Sequence, residues 1–258
     1  MGVLNVTPDS FSDGGRFFSL DAAVEQGVRM AQEGAALIDV GGESTRPGSE
    51  AVSEAQELRR VLPVIERLRA ATGAVISVDT SKPAVMRAAA AAGAGLVNDV
   101  RALRAPGALE AALASGCAVC LMHMQGEPRT MQLAPHYLDV MSEVRGFLAA
   151  RAAACRSAGL AAERLAVDPG FGFGKTVEHN LTLLRRLREL AADGLPVLVG
   201  LSRKSMLGTL TRRPPAERLA GSVALAVVAA LNGARIIRAH DVAPTVDALK
   251  VAAAVEGS

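Results

Sequence analysis

Short continuous runs of apolar, largely β-branched residues recur along the whole chain. They are VLNV from Val3, ALIDV from Ala36, VISVD from Val75, LVNDV from Leu96, AVCLM from Ala118, LAVDP from Leu165, VLVGL from Val197 and IIRAH from Ile236. Continuous rather than alternating runs predict strands covered on both faces, as in a parallel sheet. Between them, apolar residues fall at helical spacing, as at Val24, Val28 and Ala31 and at Leu181, Leu184, Leu187 and Leu190, the last four predicting one helical face. Pro83 and Pro106 sit where a first helical turn tolerates proline, and Gly93, Gly116, Gly159, Gly194 and Gly233 sit where a helix must stop. Ser53 followed three residues later by Gln56 has the spacing of a capping box.

Eight strand-then-helix units in 258 residues predict an α/β fold of the (β/α)8 barrel type. The alternative is an open doubly wound sheet, which more often uses fewer strands and a glycine-rich turn after the first. The segment that follows the first strand, TPDSFSDGG, is not that turn. No linker, repeat or low-complexity tract divides the chain, so residues 1–258 read as one domain.

In such a barrel the chemistry gathers where the strands end. Asn5 closes the first run, Gly-Gly-Glu-Ser-Thr-Arg-Pro-Gly from Gly41 follows the second, and Asp79 closes the third. Asn98 and Asp99 close the fourth, His123 the fifth and Asp168 the sixth. Ser202-Arg203-Lys204-Ser205 follows the seventh, and Arg238 with His240 the eighth. One polar residue at such a place is a cap or a turn former; a full ring predicts a shared mouth. Its acidic and amide side lies at Asp79, Asn98 and Asp168, suited to a flat heterocycle bearing amino and ring N–H groups. Its cationic side holds Lys204, Arg238, His240 and Arg46, the groups expected around phosphate oxygens. The loops 7–15 and 44–49 are rich in turn formers yet carry Phe11, Asp13 and Arg46, as closing loops would.

Composition removes other classes. A net charge of +2 over mixed-sign segments gives no field for nucleic acid or anionic membranes, so neither is expected as a partner. No apolar stretch approaches the length of a membrane span, the start lacks the phases of a signal peptide, and three cysteines make a poor disulfide framework. A cytoplasmic protein is expected. Gly170 to Thr176 (GFGFGKT) tempts toward a phosphate loop, but the required first glycine falls on Pro169. The glycines read instead as a tight turn beside a flat ligand, with Phe173 lining it. Cys117 and Cys120 form a C-x-x-C on an apolar strand and read as buried structural thiols rather than zinc ligands. His136 and His179 read as surface or capping residues.

Taken together, NVTPDSFSDGG from Asn5, GGESTRPG from Gly41, SVDTSKP from Ser77, NDV from Asn98, MHMQGEPRTMQ from Met122, DPGFGFGK from Asp168, GLSRKS from Gly200 and RAHDV from Arg238 closely resemble the dihydropteroate synthase family, nearly end to end. The resemblance implies a dimeric (β/α)8 barrel that joins 6-hydroxymethyl-7,8-dihydropterin diphosphate to 4-aminobenzoate with loss of pyrophosphate, assisted by Mg2+. It implies that Asp79, Asn98 and Asp168 hold the pterin, with Lys204 near its N5 and O4 edge. Arg238, His240, Thr45 and Asn5 would serve the diphosphate, Asn5 through Mg2+, while Phe11, Pro47 and Ser205 border the aminobenzoate pocket. Lys204, Asp168 and Asp79 are the residues on which turnover is expected to depend, and Arg46 and Asp13 belong to loops that close over the reaction. The family is a sulfonamide target. Two departures stand out: the sequence starts almost at the first strand, where a short N-terminal extension is usual, and Ala239 replaces a more usual valine. A pterin-dependent methyltransferase would have no need of SRKS, RAHDV and STRPG, and a non-catalytic pterin binder would be expected to lose Lys204, Arg238 or His240; all are present.

Overall fold

The computed structural model describes residues 1–7, 20–44, 51–127 and 130–257. Among these, eight strands and ten helices alternate: β1 (Gly2–Asn5), α1 (Leu20–Gln32), β2 (Leu37–Gly41), α2 (Glu54–Ala71), β3 (Val75–Asp79), α3 (Pro83–Ala91), β4 (Leu96–Asp99), α4 (Ala108–Ser115), β5 (Ala118–Met122), α5 (Val140–Ser157), β6 (Leu165–Asp168), α6 (Val177–Arg185), α7 (Leu187–Ala191), β7 (Leu198–Gly200), α8 (Ser205–Thr211), α9 (Leu219–Leu231), β8 (Ile236–Arg238) and α10 (Val242–Glu256). Strands β1 to β6 pair in parallel, each with the next, and β7 pairs in parallel with β8. Single parallel bridges, Val167 with Val197 and Gly2 with Ala239, join the two groups and close the ring. At the second seam Val3 N donates to Ala239 O at 3.0 Å and Ala239 N to Met1 O at 2.9 Å. The result is the expected (β/α)8 barrel.

The strand residues divide by the two-residue period of the pleat. Leu4, Ile38, Val40, Ile76, Val78, Val97, Val119 and Leu121 pack outward against helices, while Leu96, Cys120, Ala166 and Leu198 fill the barrel interior with Leu37 and Ile236. Both faces are therefore apolar, which is why the runs are continuous in sequence.

The local signals hold with two exceptions. Ser53 and Gln56 form the capping box of α2, Pro83 is the first residue of α3, and Gly93, Gly116, Gly159, Gly194 and Gly233 all take positive φ after helices. Pro106 lies outside its helix, because α4 starts at Ala108 after the left-handed Gly107. The single helix predicted through Leu181 to Leu190 is two, broken at Arg186 (φ −100°, ψ 12°). The Arg186 guanidinium is held by Glu189 at 2.7 Å and Asp139 at 2.9 Å, while Leu183, Leu184, Leu187 and Leu190 stay buried across the break.

Candidate active site

Register sets the predicted residues at one level. Asn5 is opposite Gly41, Gly41 opposite Asp79, and Asp79 opposite Asn98; Met122 is opposite Asp168, and Gly200 opposite Arg238. All stand at the C-terminal ends of their strands, and the inward residue one pleat below is small or apolar on most of them.

Asp79, Asn98, Asp168, Phe173, Lys204 and Arg238 line one cavity floored by Met122, Phe171 and Val100. Asp168 accepts from Gly170 N at 2.7 Å, and Asn98 Nδ2 donates to Asp39 Oδ2 at 3.0 Å, which turns the Asn98 amide oxygen to acceptor duty. The Lys204 ammonium lies 4.3 Å from the centre of the Phe173 ring. Three acceptors, two cations and an aromatic face therefore meet in a slot. A larger cavity of about 500 Å³ opens beside it between the loops after β2, β3 and β4. It shares Asp79 and Val100 with the first; there Lys82 bridges Glu43 and the buried Glu57.

At Arg238 the described residues depart from the two-sided mouth expected from sequence. Arg238 does not face the acids from a separate cationic wall but reaches into them, with Nε 2.6 Å from Asp39 Oδ2 and Nη2 3.0 Å from Asp79 Oδ2. One guanidinium serves two carboxylates. Burial and the neighbouring Asp39 accordingly push Asp79 up to about 7 against the pull of Arg238, while Asp39 and Asp79 hold Arg238 firmly charged against its own burial. Burial pushes Asp168 up to about 6, opposed by the Gly170 N–H and by Lys204. Burial and Arg238 bring Lys204 down to about 8.

Asp39 is the residue that sequence reasoning missed. It is fully buried in the middle of β2 and accepts from Ser77 Oγ at 2.6 Å as well as from Asn98 and Arg238. The signal was an aspartate inside an apolar run, two residues before Gly41 and hence on the same inward face. The other polar strand ends separate. Asp99 turns away from the cavity and accepts from Arg101 N and Leu103 N, both at 2.8 Å, fixing the loop after β4. His123 points into the wall, edge-on to Phe147 at 5.0 Å. His240 Nδ1 lies 3.1 Å from Ser202 Oγ, and Ser205 opens α8 next to Lys204 and is exposed. His179 caps α6 with Thr176, and Cys117, buried, donates to Ala94 O at 3.1 Å. Phe11, Asp13, Thr45, Arg46 and Pro47 lie outside the described residues.

Residues 1–240 match the model of the pterin-binding enzymes. The chain is 57% identical over 251 residues to the dihydropteroate synthase of Escherichia coli K12, covering 97% of this chain and 89% of that one. It is 55% identical to that of Haemophilus influenzae, with 97% and 91% covered. The crystal structure of Yersinia pestis dihydropteroate synthase with a sulfonamide drug complex superposes with a TM-score of 0.95 at 54% identity, covering 100% of this chain and 94% of that one. The Xanthomonas albilineans enzyme in complex with 7,8-dihydropteroate gives 0.91 at 54% identity, with 100% and 93% covered. A barrel whose strand ends converge on a slot for a flat, donor-rich heterocycle, with identity of this level along its whole length, leaves one assignment: the chain belongs to the pterin-binding enzyme family, among its dihydropteroate synthases.

Proposed function

We infer that this chain condenses 6-hydroxymethyl-7,8-dihydropterin diphosphate with 4-aminobenzoate to give 7,8-dihydropteroate and pyrophosphate. The observation that carries this reading is the convergence of Asp79, Asn98, Asp168 and Lys204 on one cavity at the mouth of the barrel. The whole chain serves as one pterin-binding barrel domain. In the reaction the methylene carbon loses its bond to the diphosphate oxygen, which leaves with the electron pair. The aminobenzoate nitrogen forms the new bond and gives up a proton. Positive charge growing on the methylene faces Asp168 and Asp79, which stabilise it in a water-poor site.

Asp79, Asn98 and Asp168 accept from the pterin N–H groups, Lys204 donates to its opposite edge, and Phe173 covers its face. Arg238 uses two of its five N–H groups on Asp39 and Asp79, which leaves three for the diphosphate, beside His240 and Thr45. Phe11, Pro47 and Ser205 border the aminobenzoate, and Arg46 and Asp13 close over it. Mg2+ fits this chemistry through its preference for a few protein oxygens completed by substrate phosphate and water. The Asn5 side-chain oxygen lies beside Gly41 and Asp79 at the strand ends and would hold it. The bound ion would supply charge neutralisation to the leaving group.

A homodimer is supported by α9, thirteen residues without a charged side chain, on which Leu219, Val228 and Leu231 stay exposed. A cytoplasmic site of action is supported by Cys117, Cys120 and Cys155, all free thiols in the core.

The test supplies the pterin diphosphate, 4-aminobenzoate and Mg2+ and follows both products. Dihydropteroate and pyrophosphate are expected in equal amounts from the native chain and from Cys117→Ala, and neither from Lys204→Ala or Asp168→Ala. A folded native chain that makes neither product refutes the reading; equal losses in all three variants refute the placement of the site.

A further inference from the structure

The lysine of the GFGFGK segment does not face the cavity. Lys175 is 3% exposed, and its Nζ lies 2.9 Å from His123 Nδ1, 3.0 Å from Gly170 O and 3.0 Å from Phe173 O. An ammonium has three N–H bonds, and here three acceptors use them. Gly170, Gly172 and Gly174 take φ of 69°, 81° and 63°, so the chain curls left-handed at every second residue and brings the Gly170 and Phe173 carbonyls to one centre. The curl is packed hard against the end of β5: a Cβ on Gly170 would stand 1.9 Å from His123 O, and one on Gly174 2.4 Å from Gln125 O.

Each face of the curl carries a cavity group. The Gly170 peptide gives its oxygen to Lys175 and its N–H to Asp168 at 2.7 Å. The Phe173 carbonyl goes to Lys175 while its ring lies against the Lys204 ammonium, and Gly172 flanks the Lys204 stem. We propose that Lys175, with His123 as its buried acceptor, is a positioning residue that holds the loop after β6 so that Asp168, Phe173 and Lys204 meet the pterin in register. This rests on the pterin reading of the cavity given above.

The state of the His123 ring agrees with the geometry. Burial brings His123 down to about 3, with Lys175 adding to the effect, so the ring is neutral and Nδ1 is free to accept with the proton on Nε2. Burial brings Lys175 down to about 7, against the pull of Asp168, so the ammonium with all three donors is the form below that pH. The phosphate-loop pattern already fails at Pro169, and the lysine serves carbonyls of its own loop.

The test uses Lys175→Met, which keeps the stem and removes the three donors, and His123→Phe, which keeps a ring against Phe147 and removes the acceptor. The chain has one tyrosine and no tryptophan, and Tyr137 OH donates to Gly174 O at 2.8 Å, with Lys175 Nζ and the His123 ring 6.0 Å and 6.1 Å from its ring, so the near-ultraviolet circular dichroism and emission of Tyr137 report this loop and the Lys175–His123 pair together. In folded Lys175→Met the Tyr137 signal is expected to change. The KM for the pterin diphosphate is expected to rise about tenfold, with that for 4-aminobenzoate within about twofold, because lost positioning weakens ground-state contacts to one substrate. His123→Phe moves the same quantities in the same direction by less, and decides the matter if Lys175→Met does not fold. A mere loss of folded molecules would lower kcat and leave both KM values and the Tyr137 signal of the folded fraction unchanged; that result, or native values throughout, overturns the proposal. The Tyr137 signal needs no substrate. A native chain without synthase activity therefore overturns the function, whereas an unmoved Tyr137 signal overturns this inference alone.

Discussion

Substitution of Asp39 separates hydrogen bonding from charge at the centre of the site. Asp39→Ala removes the acceptor of Ser77 Oγ, Asn98 Nδ2 and Arg238 Nε in a position with no solvent exposure. Removing one member of a buried ion pair costs about 3–5 kcal/mol, and each orphaned neutral donor about 1–3 kcal/mol. Asp79 still holds Arg238 at 3.0 Å, which places the total near the low end, about 5 kcal/mol. Asp39→Asn is milder. With its amide oxygen toward Asn98 and Arg238, those two hydrogen bonds survive, while the NH2 donates to the Ser77 hydroxyl and reverses the third, so the cost is the lost charge and the displaced Ser77 proton, about 1–2 kcal/mol.

The two substitutions also differ in pH dependence from the native chain. Asp79 has its folded pKa raised from 3.8 to about 7, so between these values the native state holds a proton that the unfolded chain has lost, and stability falls as pH rises through that window. Loss of the Asp39 charge lowers the pKa of Asp79 and removes part of that fall. The penalty of Asp39→Asn is thus larger at pH 5 than at pH 8, by about 1.4 kcal/mol for each unit the pKa moves. Urea unfolding of the three proteins followed by circular dichroism at both pH values measures all of this. Equal penalties at the two pH values, or an alanine variant no worse than the asparagine one, would refute the shared-guanidinium account.

The remaining predictions concern the loops around the cavity. If the Lys204 ammonium donates to the pterin, kcat/KM for the pterin diphosphate falls above about pH 8, where that group loses its proton. Lys204→Arg is expected to be less active yet free of this descending limb, and an unmoved limb assigns it to another group. Gly170→Ala is expected to lose more than about 3 kcal/mol, since its φ of 69° disfavours a side chain and a Cβ would strike His123 O. Gly146→Ala, inside α5 with open space around it, is expected to gain about 0.5–1 kcal/mol; similar unfolding midpoints for the two would contradict the packing described for the β6 loop.

What was legible in the sequence is what local chemistry determines. The eight runs, the glycines that end helices and the capping box at Ser53 each need only neighbours within a turn of chain, and Asp79, Asn98, Asp168 and Lys204 could be found because they close strands or follow them directly. The break at Arg186 was not legible, because it depends on Asp139, forty-seven positions away, and leaves the leucine periodicity intact. Asp39 was hidden for a different reason: strand ends draw attention, and it sits mid-strand, where its meaning depends on which face of the pleat points into the barrel.

Arg238 shows the limit most clearly. Read along the chain, it closes the last strand, with His240 just after it and Lys204 after the strand before, so it joins a cationic group. Closure changes its neighbours. The bridge between Gly2 and Ala239 sets β8 beside β1, with β2 next in the ring, and a long side chain from the end of β8 reaches past β1 to Asp39 on β2 and Asp79 on β3. Ring closure therefore turns two groups separated by 199 positions into a direct pair. Burial and then the Asp39 charge push Asp79 up to about 7 while a cation touches it, and the contact shows why the cation does not prevent this: Asp39 takes the shorter hydrogen bond, and the charge of one arginine is divided between two buried acids.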